Sequence, residues 1–251
     1  MIVHLDENQL AAYSRDGYVL LGPVLDSAVC EALIADERRL RPDEAYGSSA
    51  GLIVMDQLAH VSREVRRFCC EGSHLDAVER LLGPDLVLTH NQFVTKLPSE
   101  SAQASEIPLH QDNGYGELDP PVDVTVWVAL HDTDLTNGCL QVAPGSHVTG
   151  LVEHRPSAHN PAFREAQATD LVPLPMRAGE AVAFSGMLLH GSGDNTTQRE
   201  RAALFARYCH PDVVMVTEGR KSVLDDGHSW MVRGEASLAH WRSANDKFTK
   251  A

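Results

Sequence analysis

Apolar residues recur at helical spacing in the first third of the chain and at alternate positions after about residue 86. Asp26 and Ser27 supply capping side chains ahead of Val29, Leu33, Ile34 and Leu40, which share one helix face, and Pro42 ends that run. The same spacing predicts a second helix from about Ser62 to Cys70 and a third from Ser73 to Leu82, closed by Gly83-Pro84. From Leu86 to Leu97 the period drops to two, which puts Gln92, Val94 and Lys96 on one face of a strand. Short strands are then expected near 106–112, 122–131, 138–142, 171–174, 180–186 and 201–209, with Pro, Gly and Asn turns between them. Residues 150–170 carry little pattern and read as a loop or short helix over a pocket mouth; the tail from Ser237 to Phe248 predicts a final helix. Helices first and many short strands afterwards predict a mainly β fold, a jelly roll with flanking helices packed on one side.

Length and charge narrow this further. A chain of 251 residues is long enough for one sizeable core, so a single domain is expected: a mostly helical flank over 1–85, a β core over 86–210, and a C-terminal loop and helix over 211–251. No apolar run approaches the roughly eighteen residues of a membrane span, and the N-terminus lacks the basic start and apolar block of a secretory signal. Five cysteines form an odd set without CxxC spacing, which fits free thiols in a reducing, cytoplasmic setting. A formal charge of -14 repels nucleic acid and anionic membrane, so neither is an expected partner. Composition leaves the oligomeric state open between monomer and homodimer.

The candidate chemistry sits in Pro108-Leu109-His110-Gln111-Asp112 and in a distant His190. Residues i and i+2 of a strand point to one side, so His110 and Asp112 converge while Gln111 points away. Two imidazoles and one carboxylate on one face are the ligand set of non-heme Fe(II) oxygenases, whose other positions stay open. Gly179 reads as a turn into an apolar strand that ends near His190, and a Gly/Ser/Asp/Asn loop follows. Arg201 opens a second apolar strand; if the two strands pair as a hairpin, its guanidinium returns to the metal and grips a carboxylate through two parallel hydrogen bonds. Ser192 offers a hydroxyl to the same carboxylate. The competing role for Arg201 is an ion pair with Glu200 or Asp194.

His110-X-Asp112, Asn137-Gly-Cys-Leu, Pro144-Gly-Ser-His147 and His190-X-Ser192 with Arg201 together resemble the phytanoyl-CoA dioxygenase family, from Asp16-Gly17-Tyr18 to about Tyr208. The resemblance implies a double-stranded β-helix, a cupin-like jelly roll, and an Fe(II)- and 2-oxoglutarate-dependent oxygenase. On it, His110, Asp112 and His190 match the iron ligands, Arg201 the arginine that salt-bridges the co-substrate's distal carboxylate, and Ser192 its hydroxyl helper. Trp127 matches a tryptophan near the co-substrate, and Gln92 falls where the family places another neighbour of it. Met55 stands where some members carry a lysine, so that contact is expected to be absent or replaced; Leu109 stands where many bacterial members have tryptophan. The implied reaction consumes dioxygen and 2-oxoglutarate, releases succinate and carbon dioxide, and hydroxylates an aliphatic C–H of a small-molecule metabolite. Related halogenases replace the carboxylate by Ala or Gly to admit chloride, so Asp112 argues for oxygenation over halogenation; it does not separate hydroxylation from desaturation, ring closure or epoxidation, which begin with the same hydrogen abstraction. Two rival readings stand beside it: a non-oxidative metal-binding β-helix that binds or senses, and a zinc hydrolase or isomerase using the same triad. Neither rival needs Arg201.

Thirteen histidines make coincidences common, and His131 and His147 read as strand-end and turn residues rather than ligands. Gln111, Asn113, Tyr115, His228 and Trp230 are candidate cavity residues for which an ordinary loop role is favoured. Arg199 reads as solvated, and Arg38, Arg39 and Arg41 as a helix end with favourable dipole pairing.

Overall fold

The structure, a computed structural model, describes residues 3–41, 51–99, 105–157, 163–217, 220–224 and 229–234. The chain opens with α1 (Glu7–Asp16), capped by the Asp6 side chain and closed by Gly17 at φ 83°. There follow β1 (Tyr18–Pro23) and α2 (Ser27–Leu40), where the Asp26 carboxylate accepts from Val29 N at 2.9 Å as the Asp-Ser signature requires. Next come β2 (Leu52–Asp56), α3 (Arg63–Glu71), capped by the Ser62 hydroxyl, and α4 (Leu75–Leu82), ended by Gly83. The strands β3 (Leu86–Lys96), β4 (Ile107–His110), β5 (Glu117–Asp119), β6 (Asp123–Ala129) and β7 (Leu140–Val142) lead to a small hairpin of β8 (Arg155–Pro156) and β9 (Arg164–Glu165). The remaining strands are β10 (Val172–Leu174), β11 (Glu180–Ser185), β12 (His190–Ser192), β13 (Arg201–Cys209), β14 (Val214–Thr217), β15 (Arg220–Val223) and β16 (Trp230–Arg233).

A seven-stranded antiparallel sheet runs β1-β11-β6-β13-β3-β16, with β2 also paired to β3. A four-stranded sheet runs β10-β7-β12-β4 and faces it. Trp127, Val182, Phe184 and Ala203 of the large sheet pack on Leu140, Val142 and Leu174 of the small one, which makes the double-stranded β-helix. The other face of the large sheet carries the helices: Leu33, Val65, Phe68, Leu75 and Val78 cover Leu88, Val126, Leu204 and Tyr208. Strand β6 is covered on both sides, and every residue of it is buried, which is why it reads as the unbroken run Val-Thr-Val-Trp-Val-Ala.

Several expectations need correction. The N-terminal third is not only helical, since β1 and β2 belong to the large sheet. The region after 211 holds strands, with β14 paired to β5 and β16 to β3, where a loop was expected; the helix expected from Ser237 to Phe248 lies outside the described residues. The segment from Gly179 to His190 is two strands. Gly179, at φ 87°, starts β11; the turn after Ser185 then carries the chain across to the small sheet, where β12 begins. The His190 and Arg201 strands do not form a hairpin. β12 pairs with β4 and β7, β13 with β3 and β6, and the loop between them changes sheets. Gly191 permits the close pairing of β12: a Cβ there would lie 2.8 Å from Ile107 O. Among the described residues no helix is long and apolar enough to cross a membrane.

Candidate active site

His110 ends β4 and His190 begins β12, and the two are directly opposite across the antiparallel pair. Each ring is fixed in the same way. His110 Nδ1 lies 2.8 Å from Pro108 O and His190 Nδ1 lies 2.9 Å from Leu188 O. A carbonyl only accepts, so each Nδ1 carries the proton and each Nε2 presents its lone pair to the cavity. Asp112 is not in the strand. It opens a 3₁₀ turn, but Gln111 stays extended (φ -104°, ψ 140°), so the alternation survives one residue past the strand end. Gln111 points the other way, is buried, and donates to Met187 O at 2.7 Å and Gly150 O at 2.9 Å. Its role is to anchor the ligand turn, not to line the cavity.

Asp112 Oδ1 lies 3.7 Å from His110 Nε2 and 3.5 Å from His190 Nε2, while Oδ2 accepts the Thr125 hydroxyl at 2.6 Å. The donor atoms of the three residues lie within 4.8 Å of one another. Metal bonds of about 2.1 Å hold neighbouring donors about 3 Å apart, so a small inward shift completes a facial set. Burial and the neighbouring His190 push His110 down to about 3, which keeps it neutral and able to ligate. Burial alone would raise the Asp112 carboxyl; His190, Arg207, His110 and the Thr125 hydroxyl outweigh it and hold the group below the usual carboxylate range. The donor set and both tautomers fit a divalent transition metal.

A cavity of about 390 Å³ lies between the sheets, lined by the triad and by Gln92, Trp127, Ser192 and Arg201. Arg201 is buried at the start of β13, opposite Lys96. Its Nε and Nη2 donate to Asn137 O at 3.3 Å and Gly138 O at 2.5 Å, and the guanidinium lies 5.8 Å from the Trp127 ring centre. No carboxylate pairs with it among the described residues. Glu200 is held by Arg38 and Arg41, each at 2.9 Å, and the Asp194 carboxylate accepts from Ser105 N at 2.6 Å. Burial lowers Arg201 to about 10, so it remains a cation at neutral pH, buried without a counter-ion. Such a charge is costly unless a ligand supplies the anion.

The other sequence candidates fall on both sides of the cavity wall. Lys96 is not in the lining. Its Nζ donates to Ser105 O, Ser192 O and Gly193 O, at 2.6, 3.2 and 2.5 Å, and so ties down the loop after β12. Gln92 lines the cavity but its amide donates to the Asp56 carboxylate. Met55 points into the helical core, and its neighbours Val54 and Asp56 face the cavity instead. Tyr115 lines the cavity edge-on to His110, ring centres 5.3 Å apart. Asn113 is buried and donates to Asp123 at 2.9 Å. Trp230 packs beside His60 on the helical side, and His228 lies outside the described residues. His131 accepts from Ala202 N and His147 sits beside Ser14 O; neither joins the triad. The sequence reading missed Asp56, His90, Thr125, Phe205 and Arg207, all in the lining. Alternation along β13 from Arg201, and along β6 from Trp127, carries the signal for Phe205, Arg207 and Thr125. Asp56 and His90 need the strand register.

The sequence matches the phytanoyl-CoA dioxygenase family over residues 13–203. It is 32% identical over 176 residues to the peroxisomal phytanoyl-CoA dioxygenase of Homo sapiens, covering 66% of this chain and 52% of that one. The chain thus spans about half the length of the curated relatives it matches. Among solved structures, the epimerase SnoN in complex with Fe3+, alpha ketoglutarate and nogalamycin RO is 26% identical with a TM-score of 0.72, over 85% of this chain and 87% of that chain. The non-heme monooxygenase ThoJ, at 24% identity, shares the fold with a TM-score of 0.72, over 97% and 94% of the two chains.

Proposed function

The chain belongs to the phytanoyl-CoA dioxygenase family, and from that premise we propose that it is an Fe(II)- and 2-oxoglutarate-dependent oxygenase that hydroxylates an aliphatic C–H of a small-molecule metabolite. Iron bound by His110, Asp112 and His190 supplies the redox chemistry, in which dioxygen and 2-oxoglutarate become succinate and carbon dioxide as substrate C–H becomes C–OH. The protein's part is placement. The two backbone carbonyls behind His110 and His190 fix which nitrogen faces the metal, and Thr125 fixes the Asp112 carboxylate. Arg201, which lines the cavity beside Trp127 and Ser192, seats the far carboxylate of the co-substrate with the donors its two backbone bonds leave free, and sets how its keto-acid end meets the triad. The apolar wall of Leu140, Phe184 and Trp127 excludes water from that channel.

The observation that carries this reading is the buried guanidinium of Arg201, without a counter-ion among the described residues, in the same cavity as the triad. A zinc hydrolase or a metal-sensing β-helix has no use for it. A screen of candidate substrates under air, with Fe(II) and 2-oxoglutarate, tests the reading by succinate release. Coupled release that is lost in Asp112→Ala supports it; full activity without oxygen and with zinc overturns it. Product analysis separates hydroxylation, a gain of one oxygen atom, from inversion of a stereocentre, the activity named for SnoN, which leaves the mass unchanged.

A further inference from the structure

The cavity has a second polar end that the iron and co-substrate reading does not use. Asp56 on β2, Gln92 on β3, Phe205 on β13 and Trp127 on β6 form one row across the large sheet, and His90, Arg207 and Thr125 form the next. Strands are about 4.8 Å apart, so His90 lies about 10 Å from Thr125, which holds the metal-ligating carboxylate. At this far end Asp56 Oδ1 takes both neighbours. The Gln92 amide donates to it, and His90 Nε2 lies 3.4 Å from it. Asp56 Oδ2 has no partner among the described residues. Beyond these polar neighbours the cavity lining carries Val54, Val94, Ile107 and Phe205.

We propose that the Asp56–His90 end of the cavity is a substrate subsite for a protonated amine, joined by an apolar body to the carbon that is oxidised at the triad. This rests on the reading of the other end as the metal and 2-oxoglutarate site. Charge makes the case for a cation over a neutral donor. In the loaded cavity ferrous iron and Arg201 balance Asp112 and the two carboxylates of the co-substrate, and Arg207 balances Asp123 at 2.5 Å. Among the described residues the Asp56 carboxylate is the one acidic group of the lining with no Arg or Lys paired to it and no role at the triad. Its hydrogen bonds from His90 and Gln92 outweigh the burial that would raise it, so it is held ionised. A carboxylate at a cavity wall, with one oxygen engaged by His90 and Gln92 and the other open towards the cavity, is stabilised most by an ammonium on its open oxygen. A metal ion does not fit: His110, Asp112 and His190 are the one group with three converging ligands among the described residues. The acidic balance of the chain favours arrival of a cation.

The test compares three probes of one shape, 4-phenylbutylamine, 4-phenylbutanol and 4-phenylbutanoic acid. Each is titrated under argon into wild-type protein carrying Mn(II) and 2-oxoglutarate, at about 0.15 M salt to suppress surface adsorption. Binding is read calorimetrically, and Mn(II)-induced relaxation of the phenyl protons places the probe in this cavity. The amine binds at least tenfold tighter than the alcohol, and the acid weakest of the three. Asp56→Asn removes that preference and Asp56→Glu keeps it, with circular dichroism reporting that both variants fold. Equal binding of amine and alcohol, no relaxation of the bound amine by Mn(II), or a preference that survives in Asp56→Asn overturns the amine subsite. Uptake of Mn(II) and 2-oxoglutarate is measured in the same titrations. Failure there overturns the reading of the site beneath, while the amine preference is still read on the metal-free protein.

Discussion

Strand β13 has two faces that follow opposite rules. On one, Ala202, Leu204, Ala206 and Tyr208 pack under the helices. On the other, Arg201, Phe205 and Arg207 face the cavity. The one polar side chain among those under the helices, Tyr208, is satisfied inside the protein: its hydroxyl donates to Cys69 O at 2.8 Å and lies 2.9 Å from His74 Nε2. The guanidinium groups of the cavity face are satisfied only in part. Among the described residues Arg201 lacks a counter-ion, and Arg207, whose Nε donates to Asp123, keeps Nη2 buried without a hydrogen-bond partner. The helical face therefore spends its contacts on stability, whereas the cavity face holds charges ready for ligands at some cost to stability.

This contrast gives a ranked set of expected outcomes. The largest is at the triad: Asp112→Ala or His190→Ala abolishes coupled succinate release and weakens metal binding by more than about 100-fold, beyond what loss of a supporting hydrogen bond costs. The metal-free melting temperature does not fall in Asp112→Ala, because a buried carboxylate is removed; a large fall would mean that the triad is structural. Next is Leu204→Ala on the helical face, expected to cost about 3 kcal/mol in denaturant unfolding while kcat/KM of the folded fraction is unchanged. An equal loss in kcat/KM would erase the distinction between the faces.

Acid titration separates them further. Burial and Arg233 hold His74 down to about 3, so it is neutral in the fold, whereas the unfolded chain takes up a proton near pH 6.5. The folded state then binds fewer protons, and stability falls as pH drops below about 6.5. Between pH 7 and 5 the unfolding free energy of wild type falls relative to that of His74→Leu by about 2 kcal/mol; parallel curves would contradict the buried neutral imidazole. The smallest effect is Arg201→Lys, which keeps the charge but loses the fork. It weakens 2-oxoglutarate binding about tenfold, or about 1.4 kcal/mol. An unchanged affinity would mean that the guanidinium does not meet the co-substrate.

The local half of this molecule is legible in its sequence, and the non-local half is not. Asp26-Ser27 and Ser62 cap α2 and α3, and Gly83 ends α4, because caps act over three or four residues. The His110-Gln111-Asp112 alternation works for the same reason. The hairpin expected between His190 and Arg201 fails because the loop between their strands changes sheets, and no short-range rule fixes which sheet a strand joins. The strands β1 and β2 are only six and five residues long, so their periodicity is weak beside the helices around them. Asp56 and His90 meet only through the β2–β3 register, which appears nowhere in local spacing.

The central claim is that His110, Asp112 and His190 hold a metal against which Arg201 seats a keto-diacid. Anaerobic calorimetric titration of 2-oxoglutarate into Fe(II)-loaded protein tests it most directly. One 2-oxoglutarate is expected to bind per chain, with binding lost when iron is removed and again in Asp112→Ala. Equal binding with and without the metal, or no binding to the loaded protein, would contradict it.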